Sequence, residues 1–292
     1  MSRLQEWWAE GHFIKVDGRR IFTHVTGAGP TLVFLHGFPT SSHDWAEVIA
    51  DLSAGFRCVT FDHLGYGASD KPHDADYSSI VQTDRALNIL QSLGVTRATV
   101  IGHDLGGILL QQFLHRALHG QVPSLEIEQA IFSNSSVYPK LYRPTPTQLA
   151  LVDPAQGKLL ATKVTRDTLA ASMMTIFPTH PPTSDRIDDL WAAISRNDGQ
   201  HLWPAQLIYM KERADLGEGW VDAMRRTNKP LGFIYGLADP ISGEHILNEV
   251  ETDLPDAQRI GLAGLGHYPQ IESAQEFSAA LRALLQQAAR VT

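Results

Sequence analysis

Gly102-His103-Asp104-Leu105-Gly106-Gly107 is the stretch that decides how this chain is read. It follows a short apolar run, Ala98-Thr99-Val100-Ile101, and precedes a stretch from Gly107 to Leu118 whose apolar residues recur at helical spacing. Strand, glycine-flanked residue, helix is the sharp turn called a nucleophile elbow, most often written G-x-S-x-G. The turn pushes one side chain out at the carboxyl edge of a sheet, and the glycines keep neighbouring backbone clear of it. Here that side chain is a carboxylate. An alkoxide attacks acyl carbon. A carboxylate does so poorly, but it is competent at saturated carbon bearing a strained or good leaving group, and the alkyl ester it forms can be cleaved by water. Asp104 therefore points away from ester hydrolysis and toward epoxide opening or halide displacement.

Outward from the elbow, Phe13 to Val16 and Ile21 to Val25 read as a hairpin turned at Asp17-Gly18. Thr31 to Leu35, Arg57 to Phe61, Ala98 to Ile101 and Ile127 to Phe132 are short apolar strands, with helical patterns at Trp45 to Leu52 and Ile80 to Leu93 between them. Continuous apolar strands alternating with helices predict a parallel sheet covered on both faces. From Tyr138 to Thr227 the rhythm breaks. This stretch is rich in proline near its start and middle, at 139, 144, 146, 178, 181 and 182, and helices are expected over Ser184 to Ile194, Gly199 to Lys211 and Gly217 to Arg226. Strand character returns at Pro230 to Tyr235 and again at Arg259 to Leu262, and an amphipathic helix closes the pattern at Ala274 to Leu285. The expected organisation is a core in two parts, 1–137 and 229–292, with a helical cap, 138–228, inserted between them.

The chain of 292 residues carries a net charge of −8 and no Lys/Arg cluster, so nucleic acid is not an expected partner. No apolar run approaches the roughly 18 to 20 residues of a membrane span, and the N-terminus lacks a signal-peptide pattern. A single cysteine, Cys58, leaves no internal disulfide or cysteine-based metal site, and it reads as a buried strand residue. The thirteen histidines show no zinc spacing, so no metal is expected. These features suggest a cytoplasmic enzyme; whether it is a monomer or a homodimer stays open.

The triad of such an elbow runs nucleophile, acid, histidine along the chain. Asp239, in Gly236-Leu237-Ala238-Asp239-Pro240, follows the strand after the cap, and His267, in Gly264-Leu265-Gly266-His267-Tyr268-Pro269, follows the last strand. With Asp104 they would meet at the carboxyl ends of neighbouring strands, where ligands bind in such sheets. An oxyanion hole needs two backbone N–H groups, one just after the nucleophile and one from the loop after the third strand; these are Leu105 and Phe38 of His36-Gly37-Phe38-Pro39.

At these residues the chain resembles a known family. His36-Gly37-Phe38-Pro39, Asp62 through Asp70-Lys71-Pro72, the His103-Asp104 elbow and Gly266-His267 look like the epoxide hydrolase and haloalkane dehalogenase branch of the α/β-hydrolase superfamily. Arg196-Asn197-Asp198-Gly199, Phe233-Ile234-Tyr235-Gly236 and His267-Tyr268-Pro269-Gln270 add a likeness to the mesoderm-specific transcript group within it. The resemblance implies an α/β-hydrolase fold: a mostly parallel eight-stranded sheet flanked by helices, with an inserted helical cap.

The resemblance also bears on the leaving group. Haloalkane dehalogenases of this type commonly carry Trp after the nucleophile, and fluoroacetate dehalogenases carry Arg; here the residue is Leu105, and Phe38 is likewise apolar. Epoxide hydrolases use two cap tyrosines as acids. Tyr209 resembles the second in local context. For the first, 148–171 contains no tyrosine, leaving Tyr138 and Tyr142 near the start of the cap, or His180 or Trp191, as candidates. The expected reaction is cofactor-free: Asp104 opens a small hydrophobic epoxide while Tyr209 bonds the ring oxygen. His267, oriented by Asp239, then activates water to cleave the ester. Phe38, Leu105, Trp191, Leu207 and Met210 are the expected pocket walls. A dehalogenase with the same nucleophile and a ligand-binding homologue without turnover are the alternatives.

Overall fold

The apolar runs become one sheet of eight strands: β1 His12–Val16, β2 Arg19–Thr26, β3 Thr31–Leu35, β4 Arg57–Phe61, β5 Arg97–His103, β6 Glu126–Ser133, β7 Leu231–Gly236 and β8 Gln258–Leu262. The structure, a computed structural model, describes residues 1–122 and 124–288; the end of the 229–292 segment, from 289 onward, lies outside the described residues. Strand order is β1-β2-β4-β3-β5-β6-β7-β8. The β1–β2 hairpin turns through Asp17 and Gly18, both at positive φ, as a two-residue hairpin loop requires. β2 pairs antiparallel with β4, and every pairing from β4 to β8 is parallel. The order reverses around β3 and β5, so the carboxyl end of β5 opens on the crevice of a topological switch point.

The helices before the long insertion are α1 Arg3–Glu10, α2 Ala46–Leu52, α3 Ser79–Ser92 and α4 Leu105–Leu118. Between β6 and β7 the chain forms helices alone: α5 Pro146–Val152, α6 Gly157–Ala161, α7 Arg166–Met174, α8 Ser184–Ser195, α9 Trp203–Gln206 and α10 Tyr209–Arg226. The remainder is α11 Glu244–Asp253, α12 Pro269–Glu272 and α13 Ala274–Ala288.

The late helices differ from the expected ones. The segment expected to be helical over Gly199 to Lys211 is broken at Leu207-Ile208, and Gly217 lies inside α10 instead of starting a helix. Pro204 is tolerated at the start of the short α9 because the first helical N–H groups have no intrahelical partner anyway. Gly217 is required by a close approach: a Cβ there would lie 2.4 Å from the Pro139 ring.

Lys71 ties the insertion to the sheet. Its buried ammonium donates to the Ala193 carbonyl at 2.8 Å and the Ile194 carbonyl at 3.2 Å, satisfying the last turn of α8. Arg196 adds a bond to the Ala68 carbonyl, and Asn197 and Asp198, both at positive φ, turn the chain out of α8. Arg196-Asn197-Asp198-Gly199 is thus a helix-closing joint against the core.

Glycine makes the elbow possible. A Cβ on Gly106 would sit 2.3 Å from the Leu35 carbonyl oxygen of β3, and one on Gly102 would sit 2.5 Å from the Gly106 carbonyl oxygen. Both contacts are with backbone, which cannot rotate away. Gly106→Ala is expected to destabilise the protein by about 1–3 kcal/mol, the usual cost of overpacking, read as a lower urea midpoint with an unchanged m-value.

Candidate active site

Asp104 follows the last residue of β5 and caps α4, with φ 49° and ψ −112°. That conformation is sparsely populated for a residue with a side chain and costs about 1–3 kcal/mol; the packed glycines hold it. Its carbonyl accepts the Ser135 hydroxyl at 2.8 Å. Its carboxylate is nearly closed to solvent, and Oδ1 accepts the Phe38 N–H at 2.9 Å. In the loop carrying Phe38 the Phe38–Pro39 bond is a cis peptide, and the Tyr268 hydroxyl donates to the Phe38 carbonyl at 3.1 Å. Leu105, whose N–H is the other expected oxyanion donor, is the first residue of α4, and its side chain is buried.

His267 meets Asp104 from the loop after β8. Its Nε2 lies 3.8 Å from Asp104 Oδ2, and its Nδ1 is 2.8 Å from Asp239 Oδ2. Burial drives the imidazole toward neutrality, but the charge and hydrogen bond of Asp239, with Asp104 behind, outweigh it, and the His267 pKa is raised above its usual 6.5. Asp239 moves the other way. Burial raises it, yet the histidine's charge and its donors bring it below the ordinary carboxylate value. Two further groups aim the ring. His103 Nε2 lies 2.8 Å from the His267 carbonyl oxygen, and burial pushes His103 down to about 4, so it bonds as a neutral donor. Glu272 holds the Gly266 N–H with both oxygens, at 2.9 and 3.0 Å.

Asn134 was not singled out from the sequence. It follows β6 with φ 38°, a conformation asparagine tolerates better than most residues. Its amide donates to Asp239 Oδ2 at 2.9 Å and to the Gly236 carbonyl at 3.1 Å, while its own carbonyl oxygen accepts the Gly236 N–H at 2.8 Å. Ser242 adds a 3.0 Å bond to the same carboxylate oxygen, and the Ile241 N–H donates to Asp239 Oδ1 at 2.8 Å. Asp239 is therefore saturated with donors. A polar residue directly after a strand end, here in Ser133-Asn134-Ser135, is the only sequence signal for this role.

Tyr209 opens α10, and its phenol is buried with no hydrogen-bond partner. Its ring centroid is 6.4 Å from that of Phe38, and its hydroxyl lies within the field of Asp104, which adds to burial in raising it well above the usual phenol value. Tyr142 comes to the same place. Burial pushes it up to about 12, with Arg213 lowering it and Asp104 raising it, and its hydroxyl donates to Gln148 Oε1 at 3.2 Å. Of the other donors weighed, Tyr138 is bonded to Asp253 at 3.1 Å and His180 is exposed.

A cavity of about 500 Å³ opens over Asp104 and His267. Its largely apolar wall comes from Phe38, Trp203 and Ile241 and from α5 and α7 through residues such as Leu151, Leu169 and Met173. Leu105, Trp191, Leu207 and Met210, expected as walls, do not line it, and neither does Tyr209. Leu105 and Leu207 are buried in packing, while Trp191 and Met210 are half-buried against the core. Early helices of the insertion, which gave no clear sequence pattern, form the wall instead. Among the described residues no group of three or more His, Cys, Asp or Glu could hold a metal ion, and no helix is long and apolar enough to cross a membrane.

The family model for the α/β-hydrolase fold matches residues 30–274. The chain belongs to the α/β-hydrolase family. It is 33% identical to LipZ of Mycobacterium tuberculosis over 284 residues, covering 97% of this chain and 98% of that protein. It is 32% identical to the mesoderm-specific transcript protein of Mus musculus over 288 residues, covering 94% of this chain and 85% of that one. The likeness to the mesoderm-specific transcript group read from the motifs thus extends along nearly the whole chain. Two solved structures share the fold at 19% identity: the haloalkane dehalogenase DatA of Agrobacterium tumefaciens (TM-score 0.81, 94% of this chain, 96% of that one) and the epoxide hydrolase CorEH (TM-score 0.74, 95% and 98%).

Removing Asn134 leaves Asp239 short of a donor and Gly236 without its side-chain partner. Asn134→Ala is expected to cost about 1–3 kcal/mol, measured by urea denaturation; an unchanged midpoint would show that the amide is not needed.

Proposed function

We propose that this hydrolase opens epoxides to vicinal diols through a covalent ester on Asp104, with no cofactor. The observation that carries the reading is a carboxylate at the elbow together with two tyrosines, Tyr209 buried and Tyr142 half-buried, whose phenols the charge of Asp104 makes weaker acids. Asp104 Oδ1 is held by the Phe38 N–H, which leaves Oδ2, on the His267 side, to attack a ring carbon. An opening ring develops alkoxide charge and needs an acidic O–H, which a phenol can give. The helical segment between β6 and β7 acts as a cap: it supplies both phenols and most of the apolar wall, and it limits water around the reacting groups. His267 then takes a proton from the water that attacks the Asp104 carbonyl carbon. The N–H groups of Phe38 and Leu105 hold the resulting oxyanion until the diol is released.

Trp203, on the cavity wall with its ring 5.5 Å from Phe38, favours a second reading. Its indole N–H could bond a departing halide. The side chains at 38 and 105 offer no second donor, so halide displacement ranks below epoxide opening. A binder without turnover would have no use for a donor-saturated Asp239 aimed at His267.

Purified protein given a panel of epoxides and haloalkanes, scored for diol and for halide, separates these readings. Diol without halide is expected; halide from simple haloalkanes, with no diol from any epoxide, would overturn the proposal. The base must be neutral to act, and Asp239 raises its pKa. The acid limb of the ester-hydrolysis rate, followed against pH in single turnovers, is therefore expected above pH 6.5. Asp239→Asn should move that limb to lower pH and cut the ester-hydrolysis rate by about a hundredfold or more. A limb that does not move would remove His267 from the role of base.

A further inference from the structure

Arg213 is a charge kept where a charge is hardest to keep. It is 2% exposed, and Nε, Nη1 and Nη2 all lack a hydrogen-bond partner. Taking a guanidinium out of water with no anion beside it is costly, and such a group is ordinarily paired. What faces it is aromatic. Its guanidinium carbon lies 3.9 Å from the Tyr142 ring centroid and 5.4 Å from that of Tyr209, and these contacts offset part of the cost. Arg213 stands four residues after Tyr209 on α10, so the two share a helix face. Tyr142 follows the short turn Pro139–Leu141, which packs against the same helix. Arg213 does not line the cavity. Neither phenol is among the residues that line it, but the Tyr142 hydroxyl donates to Gln148 Oε1 at 3.2 Å and Gln148 does line it. The effect of Arg213 on bound substrate therefore passes through the phenols and not by direct contact.

The phenols need such a neighbour. Burial and the charge of Asp104 both make Tyr142 and Tyr209 weaker acids, and Arg213 is the cation acting in the opposite direction on each. The other groups around them are Tyr66, which faces Tyr209, and Tyr235, which also feels Arg213 but whose hydroxyl is committed to the Ser135 carbonyl at 2.6 Å.

We propose that Arg213 is the positioning residue that makes the cap phenols usable acids, because its unpaired guanidinium, packed on both rings, holds the phenolate charge that develops as the substrate oxygen takes a proton. The inference rests on the epoxide reading. As the bond from Asp104 Oδ2 to carbon forms, the ring carbon–oxygen bond breaks. Its electron pair goes to oxygen, which takes the phenol proton and leaves a phenolate beside Arg213. When water cleaves the ester, one water proton ends on the diol, and the other, taken up by His267, returns to the phenolate.

Ester formation is isolated in a His267→Gln background, where the Asp104 adduct accumulates and intact-protein mass spectrometry follows its rate. In that background Arg213→Met should slow ester formation roughly tenfold to a hundredfold, somewhat less than loss of a direct oxyanion donor. Arg213→Lys, which keeps the charge, should recover most of it. With His267 intact, hydrolysis of the formed ester should keep its wild-type rate in both variants. An unchanged ester-formation rate in Arg213→Met, or equal slowing of both half-reactions, would overturn the proposal; Arg213→Gln, which likewise removes the charge, carries the same test if Arg213→Met does not fold. A second arm needs no substrate. Fluorotyrosine placed at position 142, with its titration lowered into the range the fold tolerates, is followed by fluorine NMR. Arg213→Met should raise its midpoint by about one unit or more. An unmoved midpoint would overturn the role of Arg213, whereas absence of an adduct with every epoxide in the His267→Gln background would overturn the epoxide reading itself.

Discussion

The hydrogen bond from the Phe38 N–H to Asp104 Oδ1, 2.9 Å long and closed to solvent, is the contact on which the rest of the site depends. It joins the loop after β3 to the turn after β5 where the two backbones run so close that a Cβ on Gly106 would meet the Leu35 carbonyl and one on Gly37 would meet Asp104. It also makes the two carboxylate oxygens unequal. One lies in a donor's grip where negative charge can later be held, and the other is left on the His267 side. A carboxylate at this position is thus oriented before any substrate arrives, and preorganisation of this kind costs nothing at the moment of reaction.

Around that contact the charges are balanced and not merely collected. One imidazole stands between two carboxylates, Asp104 and Asp239, and only Asp239 is saturated with donors from Asn134, Ser242 and the Ile241 N–H. The raised His267 pKa adds stability that is complete below 6.5 and lost as pH rises through the folded value. The lowered Asp239 pKa adds stability that is present above 3.8 and lost as pH falls through its folded value. The pair therefore supports the fold most between those limits, while catalysis by a neutral base needs pH above them. His103, pushed down to about 4 by burial, is neutral over all but the acid end of that interval and there keeps its bond to the His267 backbone.

Much of this was legible in the sequence because it is local. Glycine punctuation, short apolar strands and a fixed chain order lead to Asp104, Asp239 and His267, and the structure brings all three together. Asn134 left almost no trace, since a positive φ after a strand is a property of the fold. Tyr142 was one candidate among several for a different reason: it meets Tyr209 only through tertiary packing, across Arg213, and no spacing along the chain singles it out from Tyr138. Leu207, Met210 and Trp191 show the limit of periodicity. An apolar helix face packs equally well on a core or around a cavity, and here the break at Leu207-Ile208 gives those residues to packing, while α5 and α7 line the space above Asp104.

The central claim is that Asp104 attacks the substrate and water then attacks Asp104. A single turnover with enzyme in excess over epoxide, run in heavy-oxygen water, tests it most directly when the peptide carrying Asp104 and the diol are both analysed by mass spectrometry. The account predicts one heavy oxygen in the Asp104 carboxylate and none in the first diol released. Heavy oxygen in that diol, with Asp104 unlabelled, would mean that water opens the ring itself, and it would contradict the account.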